Sequence, residues 1–141
     1  MKVKIDEFIT KQHCASICCI DEAGHPYCFS CFYTYDKENT LLYFKSSENT
    51  KHGGMMLKNR ILAGSILPDK LNFLQIKGIQ LEGRLIEREN SLGLNASSQY
   101  YKQHPAALAM PGEIWVIQLD SIKFTDNTLG FGSKINWTRQ V

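Results

Sequence analysis

Residues 15–45, ASICCIDEAGHPYCFSCFYTYDKENTLLYFK, contain three apolar runs separated by two short polar turns. The runs cover residues 15–20, 27–35 and 40–45, and they are rich in Ile, Phe and Tyr, which favour β-strands. The turns contain a Gly-His-Pro and an Asp-Lys-Glu-Asn sequence, both typical of chain reversals. Three strands joined by short loops predict an antiparallel meander. Because the middle run is apolar on both faces, we expect it to be a central strand.

The remainder of the chain adds more strands than helices. Apolar periodicity predicts strands at residues 60–67, 73–87 and 114–125 and a short one near the C-terminus, and short helices at 3–13, 50–59 and 91–104. Gly78 and Gly83 interrupt the longest strand, and glycines inside a strand mark bulges or sharp bends. Six or seven antiparallel strands with such bends predict a mainly β protein, a small barrel with short helices at its ends. We expect a single domain spanning residues 1–141.

The charges of the chain are nearly balanced. Its 141 residues include 16 Lys and Arg and 14 Asp and Glu, for a formal net charge of +2. A nucleic-acid-binding domain is usually more basic, with its cations clustered, so we expect no nucleic-acid partner. The sequence contains no signal peptide and no apolar segment of membrane-spanning length, which predicts a cytoplasmic protein with no membrane partner.

Five cysteines lie within or next to the first two predicted strands. An odd number of cysteines in a cytoplasmic protein favours free thiols over a disulfide framework. Cys28 and Cys31 have the C-x-x-C spacing of some metal and redox sites, but on a strand their side chains would point to opposite faces. We therefore expect no metal site and expect the cysteines to serve as small buried apolar residues.

The segment LLYFKSSENTKHGGMMLKN, residues 41–59, carries the most informative polar cluster. A strand ends at Ser46 and Ser47, and a short helix begins near Thr50, where short polar side chains can cap its free N–H groups. Lys51 adds a cation with His52 beside it, and a helix N-terminus with a nearby cation favours phosphate binding. From these residues alone, a capped helix with a solvated lysine is the simpler interpretation and a phosphate site the alternative.

The order of these elements resembles the pyridoxamine 5′-phosphate oxidase-like, FMN-binding split-barrel family. The resemblance rests on the Gly-His-Pro turn, on the strand–Ser–Lys–helix unit at residues 41–59 and on KGIQLEG at residues 77–83. The C-terminal sequence IKFTDNTLGFGSKINW, residues 122–137, is more similar to a small subgroup of uncharacterised bacterial split-barrel proteins. The similarity covers most of the chain and implies a six- to seven-stranded antiparallel split barrel.

The resemblance also implies a homodimer with two FMN sites at the subunit interface. The FMN phosphate would lie at the turn formed by Ser46, Ser47, Thr50 and Lys51, and the flavin ring would lie along residues 29–33, which include Cys31 and Phe32. Trp137 matches, loosely, an aromatic residue near the flavin, and the alternative is that it is an anchor of the dimer interface or of the core. The glycine-rich residues 130–132 predict a loop that closes over the ligand.

The sequence departs from the oxidase pattern in three places. Thr50 stands where an arginine is expected, no arginine occupies the second strand near Phe29, and Gly78 replaces a glutamine that would meet the cofactor. Each charge-assisted hydrogen bond contributes about 1.5–3 kcal/mol, so the loss of one or two predicts a weaker FMN site. Compensating donors would come from His52, from Lys77 or from the partner's Lys134.

These observations leave three classes of function. The first is an FMN-dependent oxidoreductase that acts on a small substrate. The second is a non-catalytic dimeric binding protein for a flavin, haem or another phosphorylated or planar ligand. The third is a structural dimer whose pocket has lost its ligand. The sequence shows no Ser–His–Asp arrangement, no paired carboxylates and no metal-ligand spacing, so it identifies no catalytic residue.

Overall fold

The computed structural model describes residues 2–87, 90–129 and 133–141. Over these residues the chain forms one antiparallel sheet of eight strands and three short α-helices. The strands are β1 (Cys14–Ile20), β2 (Pro26–Phe32), β3 (Thr34–Asp36), β4 (Leu41–Ser46), β5 (Ile61–Ile66), β6 (Lys77–Ile86), β7 (Glu113–Asp126) and β8 (Lys134–Thr138). The helices are α1 (Lys2–Lys11), α2 (Lys51–Lys58) and α3 (Ala96–Gln103).

The strand order explains why the sheet closes into a barrel. The order is β2-β1-β5-β6-β7-β4-β3, with β8 paired to β7. The two strands at its ends, β2 and β3, are consecutive in the chain and separated only by Tyr33. Because one residue spans only a few ångströms, the sheet must curl until its two edges meet. Tyr33 is buried at this junction, where its hydroxyl donates a 2.5 Å hydrogen bond to the Ile9 carbonyl of α1. The predicted mainly β, split-barrel fold is confirmed.

Strand β4 is buried on both faces. Leu42 and Phe44 point into the barrel, whereas Leu41 and Tyr43 point outward and pack beneath α3. The same alternation continues on β7, its neighbour in the sheet. A strand covered on both faces has an uninterrupted apolar sequence, and residues 41–44, LLYF, have that pattern.

The expectation for residues 27–35 was wrong in two respects. The run is divided at Tyr33 into β2 and β3, which is why the sheet has eight strands instead of six or seven. In addition, β2 is an edge strand whose residues alternate between half-buried and exposed. Its outer face carries small uncharged residues and Phe32, which is 60% exposed. An apolar outer face therefore produced the appearance of a central strand.

The cysteines are less buried than expected. All five are free, and only Cys19 is buried, because it points into the barrel. Cys14 and Cys28 are exposed on the outer face, and Cys18 and Cys31 are half-buried. Cys28 and Cys31 do point to opposite faces of β2, as the strand period predicted. Among the described residues, no group of three or more His, Cys, Asp or Glu side chains is arranged to hold a metal ion.

Of the two predicted glycine bends, the one at Gly83 is present, whereas the β6–β7 register is regular at Gly78. The register between β6 and β7 shifts between Glu82 and Gly83, which marks a bulge. A Cβ atom at Gly83 would collide with the carbonyl of Gln118, so only glycine allows the two strands to approach this closely. The predicted strand at residues 73–87 begins only at Lys77. The predicted loop at residues 130–132 lies outside the described residues. None of the helices that the structure describes is long and apolar enough to cross a membrane.

Candidate cofactor site

The barrel has a gap between β2 and the second half of β4. β3 pairs only with residues 41–43 of β4, so Phe44 and the residues after it pair with β7 on one side and face β2 on the other. The rings of Phe29 on β2 and Phe44 on β4 lie 5.7 Å apart, centroid to centroid, across this gap. The predicted phosphate turn, residues 46–51, begins at the end of β4, beside the gap.

The turn is held by hydrogen bonds within it. Thr50 is the N-cap of α2: its hydroxyl oxygen accepts a 3.0 Å hydrogen bond from the Gly53 N–H and donates one of 2.8 Å to the Ser47 carbonyl. Ser47 Oγ accepts from the Asn49 N–H at 3.1 Å. A Cβ atom on Gly53 would lie 2.7 Å from the Ser47 carbonyl oxygen, so the turn closes this tightly because residue 53 is glycine. The predicted helix cap is therefore confirmed.

His52 joins this turn to the edge strand β2. Its ring stacks on Phe29 with centroids 3.8 Å apart and planes 11° from parallel. Its Nε2 shares a 2.7 Å hydrogen bond with Ser46 Oγ. Burial lowers the pKa of His52 below its ordinary value, so the imidazole is neutral near pH 7. The ring thus fixes the start of α2 against the strand on which the resemblance places a flavin.

Two residues that the sequence analysis did not select support the turn from behind. Trp115 on β7 donates a 2.8 Å hydrogen bond from Nε1 to the Ser46 carbonyl. Gly112 adopts φ +128°, and a Cβ there would lie 3.1 Å from the carbonyl carbon of Ser46. Gly112 precedes β7 and Trp115 lies near its start. Both are far from the turn in sequence, so no local sequence pattern connects them to it. Only the pairing of Phe44 with Trp115 makes them neighbours.

Lys51 supplies the exposed cation of the turn. Its ammonium group lies 4.3 Å from the centre of the Tyr27 ring on β2, a cation–π arrangement. Lys51 and Lys58 border the same open cavity of about 770 Å³, between α2 and the β1–β2 turn. The Lys58 ammonium group is paired with Glu22 at 2.7 Å. Of these two lysines, Lys51 is the one held by an aromatic face instead of a carboxylate.

The edge of β2 offers backbone groups next to this turn. The pairs Asp21–His25 and His13–Tyr33 lie in hydrogen-bonded positions of the β1–β2 ladder, so the odd-numbered residues of β2 bond to β1. The even-numbered residues, 28, 30 and 32, therefore direct their N–H and C=O groups away from β1. Phe32 also presents an exposed ring, 6.3 Å from that of His104.

Of the two side chains predicted to contact the flavin ring, Cys31 is the less accessible. Its side chain points into the barrel, and its backbone belongs to the set that bonds β1. Burial raises the pKa of the Cys31 thiol to about 12. Phe32 is therefore the member of this pair whose side chain a planar ligand outside the barrel can reach.

The remaining predicted residues lie elsewhere in the same chain. Ser46 pairs with Glu113 at the start of β7, whereas Lys77 pairs with Asp126 at the end of this 14-residue strand. Lys134 is also near that far end, opposite Thr125. The structure therefore brings Ser46, Ser47, Thr50, Lys51 and His52 together and separates Lys77 and Lys134 from them.

Trp137 occupies a third position. It pairs with Ile122 in the middle of β7. Its ring lies 5.7 Å from the ammonium group of Lys2 and 5.6 Å from the guanidinium of Arg139. Arg139 itself donates 2.9 Å hydrogen bonds to the carbonyls of Asn39 and Thr40, which anchors the C-terminal strand. Within one chain, Trp137 therefore packs beside the termini and not at the turn.

Comparison with known proteins supports the fold. No family model matches the chain. A haem-binding protein from Mycobacterium smegmatis superposes with a TM-score of 0.77 over 93% of this chain and 55% of that protein, at 14% identity. An FAD-binding protein from Mesorhizobium loti superposes with a TM-score of 0.67 over 85% of this chain and 90% of that protein, at 16% identity. At these identities the similarity is one of fold alone.

Sequence comparison identifies the family. A UPF0306 protein of Photorhabdus laumondii is 36% identical over 135 residues, which cover 96% of this chain and 94% of that protein. A UPF0306 protein of Serratia proteamaculans is 34% identical over 139 residues, with the same coverage. About a third of the residues are thus identical over nearly the whole of both relatives. The chain belongs to the UPF0306 family.

Proposed function

We propose that this protein binds FMN at the gap between β2 and β4 and uses it in a homodimer. The observation that carries the proposal is the position of His52, which stacks on Phe29 at 3.8 Å and bonds Ser46 at 2.7 Å. These contacts place a helix N-terminus with a cation directly beside an open strand edge. FMN needs both features, because it joins a phosphate to a planar ring with hydrogen-bonding groups along its edge.

The described residues fit the two ends of FMN. The Lys51 ammonium group and the N–H groups at the start of α2 would bind the phosphate, with the hydroxyls of Ser46, Ser47 and Thr50 nearby. The backbone groups of residues 28, 30 and 32 would bind the ring edge, with Phe32 beside it. When bound, FMN supplies hydride or electron transfer, and the protein binds, orients and shields it. One structural neighbour is an FAD-binding protein, which is consistent with this assignment.

A second copy of the chain is part of the proposal. The loop between β5 and β6 exposes five large apolar side chains: Leu67 (58%), Leu71 (69%), Phe73 (99%), Leu74 (87%) and Ile76 (63%). A contiguous exposed apolar surface usually marks an interface. A dimer is also the arrangement in which Lys77, Lys134 and Trp137 of one copy can approach the turn of the other. We expect light scattering to give the dimer mass, and Phe73→Ser to shift the population towards monomer.

A comparison of FMN with riboflavin tests the phosphate site directly. Each would be titrated into the protein while flavin fluorescence and melting temperature are followed. We expect FMN to raise the melting temperature progressively, by the equivalent of about 4 kcal/mol at a thousandfold excess over Kd. Riboflavin lacks the phosphate and should bind about 10- to 100-fold more weakly. If FMN leaves both signals unchanged, or if the two ligands bind equally, the proposed site is wrong.

Catalysis requires a separate measurement. If the protein is an oxidoreductase, anaerobic addition of NADH or NADPH should bleach the visible absorbance of the bound flavin, and air should restore it. The same addition to free FMN is the control. Absence of bleaching above that control would contradict nicotinamide-dependent flavin reduction and favour the non-catalytic binding protein.

Haem is the second candidate ligand, favoured by one residue. His52 carries a neutral imidazole at the gap, and neutral imidazole is a common iron ligand. Structural neighbours include a haem-binding protein from Mycobacterium smegmatis and a haem storage protein from Vibrio cholerae. The variant His52→Phe keeps an aromatic ring over Phe29 but removes the nitrogen. Haem affinity that falls in this variant while FMN affinity is retained would favour haem.

A further inference from the structure

Two cysteines on the outer face of the barrel form a directly opposed pair. Cys18 on β1 and Cys28 on β2 are register partners in the antiparallel ladder. Both lie on the outer face, because the alternate residues Ile17 and Cys19 are buried inside. Cys28 is exposed and Cys18 is half-buried. The remaining cysteines are not opposed in this way, since Cys14 faces Phe32 and Cys31 faces Ala15.

The ladder places this pair at a distance that suits a disulfide. Hydrogen-bonded positions of the β1–β2 ladder are odd-numbered, as the Asp21–His25 and His13–Tyr33 bonds show. Cys18 and Cys28 therefore occupy a non-hydrogen-bonded position, where opposed Cα atoms lie about 4.5 Å apart. A disulfide accepts Cα separations from about 4.4 to 6.8 Å. The bond can thus form between the strands with little movement of either backbone.

The two thiols differ in their exposure to solvent, and this difference predicts which one reacts first. Burial and then the proximity of Cys28 raise the pKa of the Cys18 thiol, which is consistent with two thiols in contact. An oxidant in solution meets Cys28 first, because its side chain is the exposed one. Cys18 is then directly opposite to react with the oxidised sulfur.

We propose that Cys18 and Cys28 are a dithiol site that hydroperoxides oxidise reversibly to a cross-strand disulfide. The Cys28 thiolate sulfur attacks a peroxide oxygen, the O–O bond breaks, and the leaving hydroxide takes a proton to become water. The Cys28 sulfenic acid then reacts with the Cys18 sulfur: the S–S bond forms, the S–O bond breaks, and the Cys18 thiol proton leaves with the hydroxyl as a second water. Two thiols and one hydrogen peroxide thus become one disulfide and two waters. A dithiol reductant reverses the change.

The position of the pair gives the oxidation a structural consequence. Cys28 lies between Tyr27, which holds Lys51, and Phe29, which holds His52. A covalent link at this point ties the edge strand to β1 beside the candidate cofactor site. The proposal does not depend on the cofactor, because the geometry of the pair is that of the protein alone.

Mapped oxidation of the full-length protein tests the proposal. Reduced protein is treated with hydrogen peroxide, remaining thiols are alkylated, and the intact mass and non-reduced peptides are measured. Trypsin is unsuitable because all five cysteines lie between Lys11 and Lys37, whereas cleavage after Glu22 separates the Cys18 peptide from the Cys28 peptide. We expect an intrachain link between these peptides, a loss of two hydrogen atoms in mass, and full reversal by dithiothreitol.

Single serine variants identify the linked residues. Cys18→Ser and Cys28→Ser should each abolish the intrachain link, and Cys14→Ser and Cys31→Ser, as matched controls, should retain it. Circular dichroism and melting of each reduced variant establish that it is folded. If a serine variant does not fold, the corresponding alanine variant replaces it. A link that persists without Cys28, a link that requires Cys14 or Cys31, or only interchain products would overturn the proposal.

Discussion

The two ends of β7 carry the two groups of candidate cofactor residues, and they differ in how their cations are held. Near the start of the strand, the Lys51 ammonium group lies 4.3 Å from the centre of the Tyr27 ring. The turn that contains Lys51 is held by hydrogen bonds of the Thr50 hydroxyl. At the far end, the Lys77 ammonium group lies 4.0 Å from Asp126. Asp126 is 6% exposed and also accepts hydrogen bonds from the backbone and hydroxyl of Thr128, at 2.9 and 2.6 Å.

In the proposed site, this difference distinguishes Lys51, which has no carboxylate partner at 4.0 Å or less in the part of the chain that the structure describes, from Lys77, which is paired with Asp126. A phosphate approaching Lys51 replaces a weak cation–π contact, which contributes about 0.5–1 kcal/mol at an exposed site. A phosphate approaching Lys77 must compete with a buried carboxylate that belongs to the fold. Lys51 and Lys77 are therefore not equivalent as candidate phosphate ligands, because their partners in the structure differ.

The largest expected effect is the difference in FMN affinity between variants of Lys51 and Lys77. Lys51→Ala should weaken FMN binding about 10- to 100-fold, because one charge-assisted hydrogen bond to the phosphate is lost. Lys77→Ala should weaken it only a few-fold, since its charge is shared with Asp126. Fluorescence titration of both variants, with the melting temperature of each apo-protein as control, makes the comparison. Equal losses of affinity would show that the two ends contribute alike.

The glycines at the start of α2 are expected to change the stability of the protein. Gly53→Ala should destabilise the protein by about 1–3 kcal/mol, because its Cβ would press against the Ser47 carbonyl at 2.7 Å. Gly54→Ala has open space around its Cβ and should stabilise α2 by about 0.5–1 kcal/mol. At the other end of β7, Gly78→Ala makes contacts no closer than 3.5 Å and should be tolerated. Urea unfolding of the three variants measures this order, and a neutral Gly53→Ala would contradict it.

The two serines at the end of β4 should give smaller changes in stability. Ser46→Ala removes the 2.7 Å hydrogen bond to His52 and should cost about 0.5–1.5 kcal/mol. Ser47→Ala removes an exposed acceptor of the Asn49 N–H and should change stability by less than about 0.5 kcal/mol. Thermal unfolding of both variants distinguishes them. A reversed order would mean that His52 is not held through Ser46.

The smallest expected effect is a pH dependence from His52. Burial lowers its pKa in the folded protein, whereas the unfolded chain keeps an ordinary value near about 6.5. Between these two values the unfolded chain binds more protons, so stability falls as the pH falls below about 6.5 and levels off below the folded-state pKa. His52→Phe should show a shallower decline than the wild type. Identical slopes in melting temperature would remove His52 as the titrating group.

The elements of the fold were largely predictable, but their pairing was not. The apolar runs and turns located most strands, and Gly83 marked the bulge. The division at Tyr33 was not visible, because the run on both sides of it is continuously β-like. An outer face made of Cys, Ser and Phe has the same local pattern as a buried one. Burial depends on the neighbouring strand, which local sequence does not specify.

For the candidate site, local sequence was enough to predict the turn, the helix cap and the lysine beside it. Capping depends on residues within one helical turn of each other, and Thr50 and Gly53 satisfy that condition locally. Four features are visible only in the folded protein: His52 stacks on Phe29, Trp115 supports Ser46, Lys77 lies at the other end of β7, and Cys18 faces Cys28. These contacts depend on strand order and register, which are set by closure of the whole barrel.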